Sequence, residues 1–211
     1  MAHANEGILA GWSGGAFPYA ISSKKLGMWL FIISDTFTFA ALLIAYSYVR
    51  FSTPNWPTPF NAGSIGFASI MTFFLLSSSL TMVMAVQAAE RKDTLWTVLW
   101  IMATMLGGLA FVVLHSIEWR GLIMHEHVKL FKNEWGVPLF GATFFGITGL
   151  HMMHVISGVI YLGVVASNVV RKRATHDDVE IVGLYWHFVD LVWMFVFPMI
   201  YLLSVNLSAK H

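Results

Sequence analysis

No cysteine occurs among the 211 residues of this chain. Without a thiol, the chain can form no disulfide, and it can hold no iron–sulfur cluster, no thiolate-bound haem and no covalently attached c-type haem. Any metal bound by this chain would therefore need histidine, methionine or carboxylate ligands.

Charged residues are also scarce, since they make up 11% of the chain and leave a net charge of +1. Such a chain has no concentrated basic face, so nucleic acid is excluded as an expected partner. Hydrophobic residues reach 57%, and the mean hydropathy of +0.70 lies well above that of soluble domains. The composition predicts an all-α, polytopic membrane protein.

Long apolar runs divide the sequence into five stretches, each at least as long as the roughly 20 residues that cross about 30 Å of hydrocarbon. They predict a single domain over residues 26–207, in which five transmembrane helices pack as a bundle. The predicted helices span approximately residues 26–50, 64–89, 95–119, 139–169 and 181–207.

The segments outside these runs are predicted to be short tails and loops. Residues 1–25 match a signal peptide poorly and are expected to form a retained N-terminal tail, and residues 208–211 form a C-terminal tail. Pro54, Pro57 and Pro59 predict an extended first connection. The connection 120–138 is the longest and could hold a short interfacial helix.

Lysine and arginine residues in the short loops predict the orientation in the membrane. A cytoplasmic N-terminus places seven of them inside, close to helix ends, and five outside, so we expect the N-terminus inside and the C-terminus outside. The inside set is Lys24, Lys25, Arg91, Lys92, Arg171, Lys172 and Arg173, and the outside set is Arg50, Arg120, Lys129, Lys132 and Lys210.

Ionisable residues lie within the predicted helices, where they are costly and usually functional. Asp35 is about 13 Å along the first helix at 1.5 Å per residue. The other six form three pairs, and each pair shares a helix face because its members are three residues apart. The pairs are His115 with Glu118, His151 with His154, and His187 with Asp190.

Four interpretations of these three pairs compete. They could bind metal in the bundle core, by analogy with the Glu-x-x-His pairs of di-iron bundles. Histidines on different helices could ligate haem axially, or the polar groups could line a path for protons or substrate. Spacing alone favours a fourth interpretation, in which they hydrogen-bond to one another and hold the helices together.

Small residues recur along the fourth helix at Ala142, Gly146, Gly149 and Gly158. Such residues allow a neighbouring helix to approach closely. The neighbour could belong to this chain, which is the favoured interpretation, or to another subunit.

The first and third predicted helices carry motifs of a known family. Residues 27–35 read Gly-Met-Trp-Leu-Phe-Ile-Ile-Ser-Asp, which resembles Gly-Met-x-Leu-Phe-Ile-x-Ser-Glu in subunit III of the haem-copper respiratory oxidases. Residues 115–119 read His-Ser-Ile-Glu-Trp and resemble the Gln-x-x-Glu-Tyr of that family. Asp35 thus stands where the family carries its intramembrane glutamate.

The fourth and fifth helices extend the resemblance over most of residues 26–205. Residues 143–155 are similar to Thr-Phe-Phe-x-x-Thr-Gly-x-His-x-x-His-Val, and they include His151 and His154. Residues 185–190 read Tyr-Trp-His-Phe-Val-Asp and resemble the last-helix signature, with Glu180 upstream, where the family also tends to carry glutamate. The family's longer members have seven helices, so this chain resembles the five-helix bacterial form.

The resemblance implies an accessory subunit in the bacterial cell (inner) membrane that holds no haem, copper or other cofactor itself. Its implied partners are the catalytic subunit I, as the main contact, subunit II and the other oxidase subunits. Those partners carry the haem and copper, reduce dioxygen to water and pump protons. A larger respiratory supercomplex is a further assembly that the resemblance allows.

The implied role is to stabilise the catalytic subunit, to support proton uptake, for which Asp35 is the candidate, and to bind phospholipid. A cytochrome c oxidase is expected. The alternatives are subunit III of a quinol oxidase, the related accessory protein of nitric oxide reductases and, more distantly, a stand-alone membrane metal enzyme.

Two hypotheses concern particular residues. Asp35 is expected to be protonated at neutral pH, because removal from water disfavours a charged carboxylate and the first helix carries no lysine or arginine near it. A basic cluster of Arg171, Lys172, Arg173 and His176 is expected to bind an anionic phospholipid headgroup. The alternative for this basic cluster is that it only fixes the membrane orientation.

Overall fold

A computed structural model describes residues 22–124 and 136–205. Within these ranges five helices are long and apolar enough to cross a membrane, which confirms the predicted fold class. They are α1 (Ser23–Ser52), α2 (Ala62–Glu90), α3 (Thr94–Met124), α4 (Pro138–Val170) and α5 (His176–Val196). The chain continues from α5 through a π turn, Phe197–Tyr201, and a 3₁₀ turn, Leu202–Ser204.

Several predicted segments lie outside the described residues. These are most of the N-terminal tail, the C-terminal tail, and residues 125–135, where the interfacial helix was expected. The third helix was predicted to end near residue 119. In the structure α3 continues to Met124, so the first residues of the predicted 120–138 connection are helical.

Both ends of the last helix also differ from the predicted range of 181–207. α5 begins at His176 because Thr175 and Asp178 form a capping box: Thr175 N donates to Asp178 Oδ2 (2.9 Å), and Asp178 N donates to Thr175 Oγ1 (3.4 Å). Regular α-helix ends at Val196, since Pro198 has no N–H to donate and the backbone there widens into the π turn.

Two short turns at one end of the bundle have the same geometry. Lys92 and Lys172 adopt positive φ angles of 60° and 55°, just after α2 and α4. The following amides close each turn, since Asp93 N donates to Ala88 O (3.0 Å) and Arg173 N donates to Asn168 O (2.8 Å). These bonds satisfy the last carbonyls of both helices and place basic side chains at the same end.

α5 is the central helix, in contact with α1, α2 and α4. Within its most apolar 18-residue stretch, 50% of the residues of α5 are buried. The corresponding share for α1 is 11%. Trp186 and Trp193 are fully buried, and each donates its indole N–H to α2: Trp186 to Ser78 Oγ (3.0 Å) and Trp193 to Thr72 Oγ1 (2.9 Å). The two indoles thus anchor α5 to α2.

Three of the small residues on α4 differ in what they contact. A Cβ atom at Gly158 would lie 3.0 Å from the Trp186 ring, and one at Gly149 would lie 3.1 Å from Trp119. Both glycines therefore allow close packing within this chain. Gly146 is exposed and has nothing within 4 Å of the Cβ position.

α1 lies at the edge of the bundle, against α4 and α5, and polar contacts hold both of its ends. Near its start, Lys24 Nζ lies 2.9 Å from Asp178 Oδ1, and Lys25 Nζ lies 2.6 Å from Glu180 Oε1. At its other end Arg50 donates to Ser204 Oγ (2.9 Å) and also to the Leu203 carbonyl.

The packing around Trp186 predicts the effect of a single added methyl group. In Gly108→Ala, the new Cβ would lie 2.4 Å from Trp186 Cη2 and 2.9 Å from Val159 Cγ2, and the fully buried indole has no room to move. Overpacking of this kind costs about 1–3 kcal/mol, so we expect a lower midpoint of thermal unfolding in detergent.

Gly66→Ala is the matched control, because nothing lies within 4 Å of the Cβ position at Gly66. Equal midpoints for the two variants would contradict the tight packing of α3 against Trp186.

Candidate functional site

Asp35 pairs with His154, which joins the middle of α1 to the middle of α4. Asp35 Oδ2 lies 3.1 Å from His154 Nε2, within ion-pair distance, although the two groups are not aligned for a hydrogen bond. The side chains are 14% and 16% exposed. The shorter aspartate therefore still reaches a histidine on the neighbouring helix.

The contact of the other ring nitrogen, Nδ1, fixes the tautomer of His154. His154 Nδ1 lies 2.8 Å from the Leu150 carbonyl oxygen. A carbonyl only accepts, so Nδ1 carries a proton and Nε2 of the neutral ring is a lone pair facing Asp35. If one proton is shared between Nε2 and Oδ2, the pair carries no net charge, whether that proton sits on the carboxyl group or on the ring.

Glu118 lies between two other titratable groups near the end of α3. It accepts a hydrogen bond from Tyr201 OH (2.7 Å) through Oε2, and His115 Nδ1 lies 3.3 Å from the same oxygen. His115 is fully buried, and the Glu118 side chain is 7% exposed. The predicted pair on one face of α3 thus forms, and Tyr201 extends it to the turn that follows α5.

His151 lies apart from its predicted partner His154. Its ring stacks on Trp193 at 5.0 Å between centroids and meets Phe111 and Phe39 edge-on. Neither ring nitrogen has a hydrogen-bond partner within the described part of the chain. Phe39 contacts both histidines of α4, and His154 also faces the carboxyl group of Asp35.

The pair on α5 meets a hydroxyl group of α2. His187 Nδ1 lies 2.6 Å from Ser79 Oγ, and Ser79 is also close enough to the Asp190 carboxyl to interact with it. Asp190 is 7% exposed. These contacts join α2 to α5 between the two tryptophan anchors.

The seven intramembrane residues thus form several pairs between helices, and His115 and His151 share Phe111 and Trp193 as ring neighbours. Over residues 22–124 and 136–205, the three histidine and acidic side chains whose ligand atoms lie within 4.8 Å of one another are His176, Asp177 and Glu180, at the start of α5. None of them is an intramembrane residue, and Glu180 is already paired with Lys25. Asp35 with His154 and His187 with Ser79 are contacts between helices of the kind that the hydrogen-bonding interpretation predicts.

The basic cluster lies beside a groove at the end of the bundle that carries the two lysine turns. Arg171, Lys172 and Arg173 are exposed. Lys172, His176 and Lys92 line the groove, which has a volume of about 280 Å³ and includes Glu90 in its wall. A groove of this charge can hold an anionic group.

Sequence reasoning missed the hydroxyl partners of these groups, namely Ser79, Ser157, Tyr185 and Tyr201. Tyr185 OH donates to the His154 carbonyl (3.1 Å) and lies 2.7 Å from Ser157 Oγ. No sequence motif marks these hydroxyl groups. A hydroxyl group in an apolar helix needs a hydrogen-bond partner, so the sequence indicates that each one is paired. The sequence does not indicate which residue is the partner.

The fold and these contacts define a polytopic helical membrane subunit with polar pairs between its helices. The chain matches the family model of cytochrome c oxidase subunit III over residues 10–205. It belongs to that family.

Subunits of several kinds of oxidase are similar to this chain over most of its length. A cytochrome c oxidase subunit 3 of Alkalihalophilus pseudofirmus is 31% identical over 187 residues, covering 87% of this chain and 88% of the relative. A quinol oxidase subunit 3 of Bacillus spizizenii is 31% identical over 186 residues, covering 86% and 87%. The heme-copper oxidase subunit I+III of Aeropyrum pernix is 28% identical over 196 residues, covering 88% of this chain and 23% of that relative.

The pairing with His154 makes the protonation state of Asp35 testable by infrared difference spectroscopy. We expect the proton on the carboxyl group at neutral pH, because a separated ion pair is costly in a medium of low dielectric constant. Asp35→Asn should then remove a carboxylic acid C=O band. Loss of an ionised carboxylate band instead would contradict this expectation.

The control for this measurement is Asp177→Asn. The Asp177 side chain is 59% exposed, so that variant should remove only bands of an ionised carboxylate.

Proposed function

We propose that this chain is the accessory subunit III of a bacterial terminal oxidase. The observation that carries the proposal is the match to the family model, which extends through all five helices. The subunit stabilises the catalytic subunit, which reduces dioxygen to water and pumps protons. Its location is the bacterial inner membrane.

In this proposal the chain is non-catalytic and carries no haem, copper or other metal. The arrangement of its polar residues supports this, because Asp35, Glu118 and His187 are each engaged by a residue of another helix or by the turn after α5. The haem and copper belong to the partner subunits.

Subunit I is the proposed main contact, together with subunit II and the other oxidase subunits. The Aeropyrum pernix relative supports this choice, since its name describes subunits I and III in one protein and this chain matches 23% of it. Two parts of one protein share a membrane and a local concentration. A larger respiratory supercomplex is a further proposed assembly.

Cytochrome c is the proposed electron donor, because the matching family model is that of cytochrome c oxidase. Quinol is the second candidate, since relatives named for the two kinds of oxidase both reach 31% identity. The donor binds elsewhere in the complex in either case.

The proposed orientation places the N-terminus in the cytoplasm and the C-terminus outside. The ion pairs of Lys24 and Lys25 with α5, the two lysine turns and the basic cluster then all lie at the cytoplasmic end. Clusters of basic residues at helix ends are typical of the cytoplasmic side. Asp35 is proposed to support proton uptake from that side, with His154 as its partner.

An anionic phospholipid headgroup is the proposed occupant of the groove beside the basic cluster. Positive charge comes from Lys92 and Lys172 in the two turns, and His176 at the start of α5 adds charge when it is protonated. The membrane surface supplies the headgroup. The apolar helices above the groove would contact the acyl chains.

The accessory role predicts the outcome of a pull-down with a tagged copy of this chain in mild detergent. We expect a haem-copper catalytic subunit to co-purify, and the haem spectrum and copper content to stay with that subunit when this chain is removed. Comparing oxygen consumption with reduced cytochrome c and with quinol as donors would then identify the type of oxidase.

An untagged strain is the control for non-specific capture. Purification of a solitary chain with stoichiometric iron, manganese, zinc or copper would contradict the accessory role and favour a stand-alone metal enzyme.

The lipid proposal predicts the effect of neutralising the basic cluster. In Arg171→Gln/Lys172→Gln/Arg173→Gln, we expect fewer anionic phospholipids per subunit by mass spectrometry of the purified complex, since each basic residue near the surface contributes about 1 kcal/mol. Arg120→Gln, which changes an exposed arginine at the opposite end of the bundle, is the control. Unchanged retention in the triple variant would show that the cluster only fixes orientation.

A further inference from the structure

A second groove lies between the start of α2 and the end of α3, at the end of the bundle opposite the basic cluster. Its volume is about 340 Å³. The walls combine small and apolar residues with a single acidic one. Gly63, Ser64 and Phe67 line the groove from α2, and Ile117, Glu118 and Gly121 line it from α3.

The carboxyl group of Glu118 has one oxygen without a partner. Oε2 accepts a hydrogen bond from Tyr201 OH (2.7 Å) and lies 3.3 Å from His115 Nδ1. No residue in the described part of the chain donates to Oε1, although the Glu118 side chain is only 7% exposed. A buried acceptor without a donor costs free energy, and a carboxyl group bonds most strongly to a donor that carries positive charge. Glu118 therefore favours a cationic N–H donor as the occupant of the groove.

The depth of Glu118 suits a lipid headgroup. α3 has 31 residues, so at 1.5 Å per residue it is about 46 Å long and, when centred, exceeds the hydrocarbon of about 30 Å by about 8 Å at each end. Glu118 precedes Met124, the last residue of α3, by six residues, which is about 9 Å along the helix. Its carboxyl group is therefore near the boundary between the hydrocarbon and the headgroups.

The other walls of the groove suit the rest of a phospholipid. Gly63 and Ser64 belong to the first turn of α2, where the positive end of the helix dipole favours a phosphate group. Phe67 lies about one turn deeper in the membrane, and Ile117 is exposed on the α3 side. These two apolar side chains offer a surface for an acyl chain.

We propose that this groove binds a zwitterionic phospholipid whose headgroup carries a primary ammonium group, as in phosphatidylethanolamine. The ammonium group donates to Glu118, the phosphate lies at the first turn of α2, and an acyl chain contacts Phe67 and Ile117. A primary ammonium group has three N–H donors, whereas the quaternary ammonium group of phosphatidylcholine has none. The groove therefore distinguishes these two headgroups, while the basic cluster attracts lipids by their negative charge.

The selectivity is measured by native mass spectrometry of the purified protein, together with the subunits that co-purify. The protein is titrated with phosphatidylethanolamine or with phosphatidylcholine of the same acyl chains. We expect the wild type to bind phosphatidylethanolamine about tenfold more tightly, as one charge-assisted hydrogen bond allows. Glu118→Gln should remove this preference, because glutamine keeps an acceptor for Tyr201 and loses the charge.

Asp190→Asn is the matched control for the change of charge. Asp190 is also 7% exposed and also has an oxygen without a partner among the described residues, but it lies on α5, outside the groove. Gly121→Leu tests the site without touching a polar group, since nothing lies within 4 Å of the Cβ position and the new side chain would fill the groove. Gly66→Leu is its control, because the Cβ position there is equally open and Gly66 does not line the groove.

Equal affinities of the wild type for the two lipids would overturn the proposed site. Equal losses of phosphatidylethanolamine binding in Glu118→Gln and Asp190→Asn, or unchanged binding in Gly121→Leu, would overturn it as well. Release of another subunit by Glu118→Gln, with lipid binding unchanged, would show that Glu118 pairs with a basic side chain of that subunit instead. These outcomes leave the accessory role intact, because the haem spectrum of the co-purified subunits tests that role separately.

Discussion

The need to satisfy polar groups without water determines how these five helices fit together. Apolar helix faces discriminate poorly between neighbours in hydrocarbon, because lipid tails are as apolar as the side chains they would contact. Polar contacts do discriminate. Asp35 of α1 pairs with His154 of α4, and His187 of α5 meets Ser79 of α2. Glu118 of α3 accepts a hydrogen bond from Tyr201 in the turn that follows α5. Each contact joins a different pair of elements, so together they help to specify which helices become neighbours.

The two buried tryptophans of α5 combine this constraint with close packing. Each indole fills a large volume and has a single N–H to satisfy, and each donates it to a hydroxyl of α2. Trp186 also fits against Gly108 and Gly158, where a Cβ atom would lie 2.4 Å and 3.0 Å from its ring. α5 is thus central because its largest side chains find both space and a hydrogen-bond acceptor on its neighbours.

The helices could be predicted from the sequence because the thickness of the membrane sets the length of an apolar run. The contacts between them could not. Spacing of three residues correctly placed His115 next to Glu118, but the same spacing separates His151 and His154 by about 60° around α4. That angle is enough to turn one ring toward Trp193 and the other toward Asp35. Ser79 and Tyr201 carry no motif, since many hydroxyl groups occur in these helices and only the fold selects among them.

Asp35 shows how a departure from the family pattern is accommodated. Aspartate is one methylene shorter than the glutamate usual at this position, yet His154 lies within 3.1 Å of its carboxyl group. Because His154 Nδ1 lies 2.8 Å from the Leu150 carbonyl oxygen, Nε2 is the ring atom that faces Asp35. A carboxyl group that is paired in this way is less costly at the edge of the bundle than an isolated carboxylate. The two side chains of this pair are only 14% and 16% exposed, so α1, the least buried helix, still shields its intramembrane carboxyl group against α4.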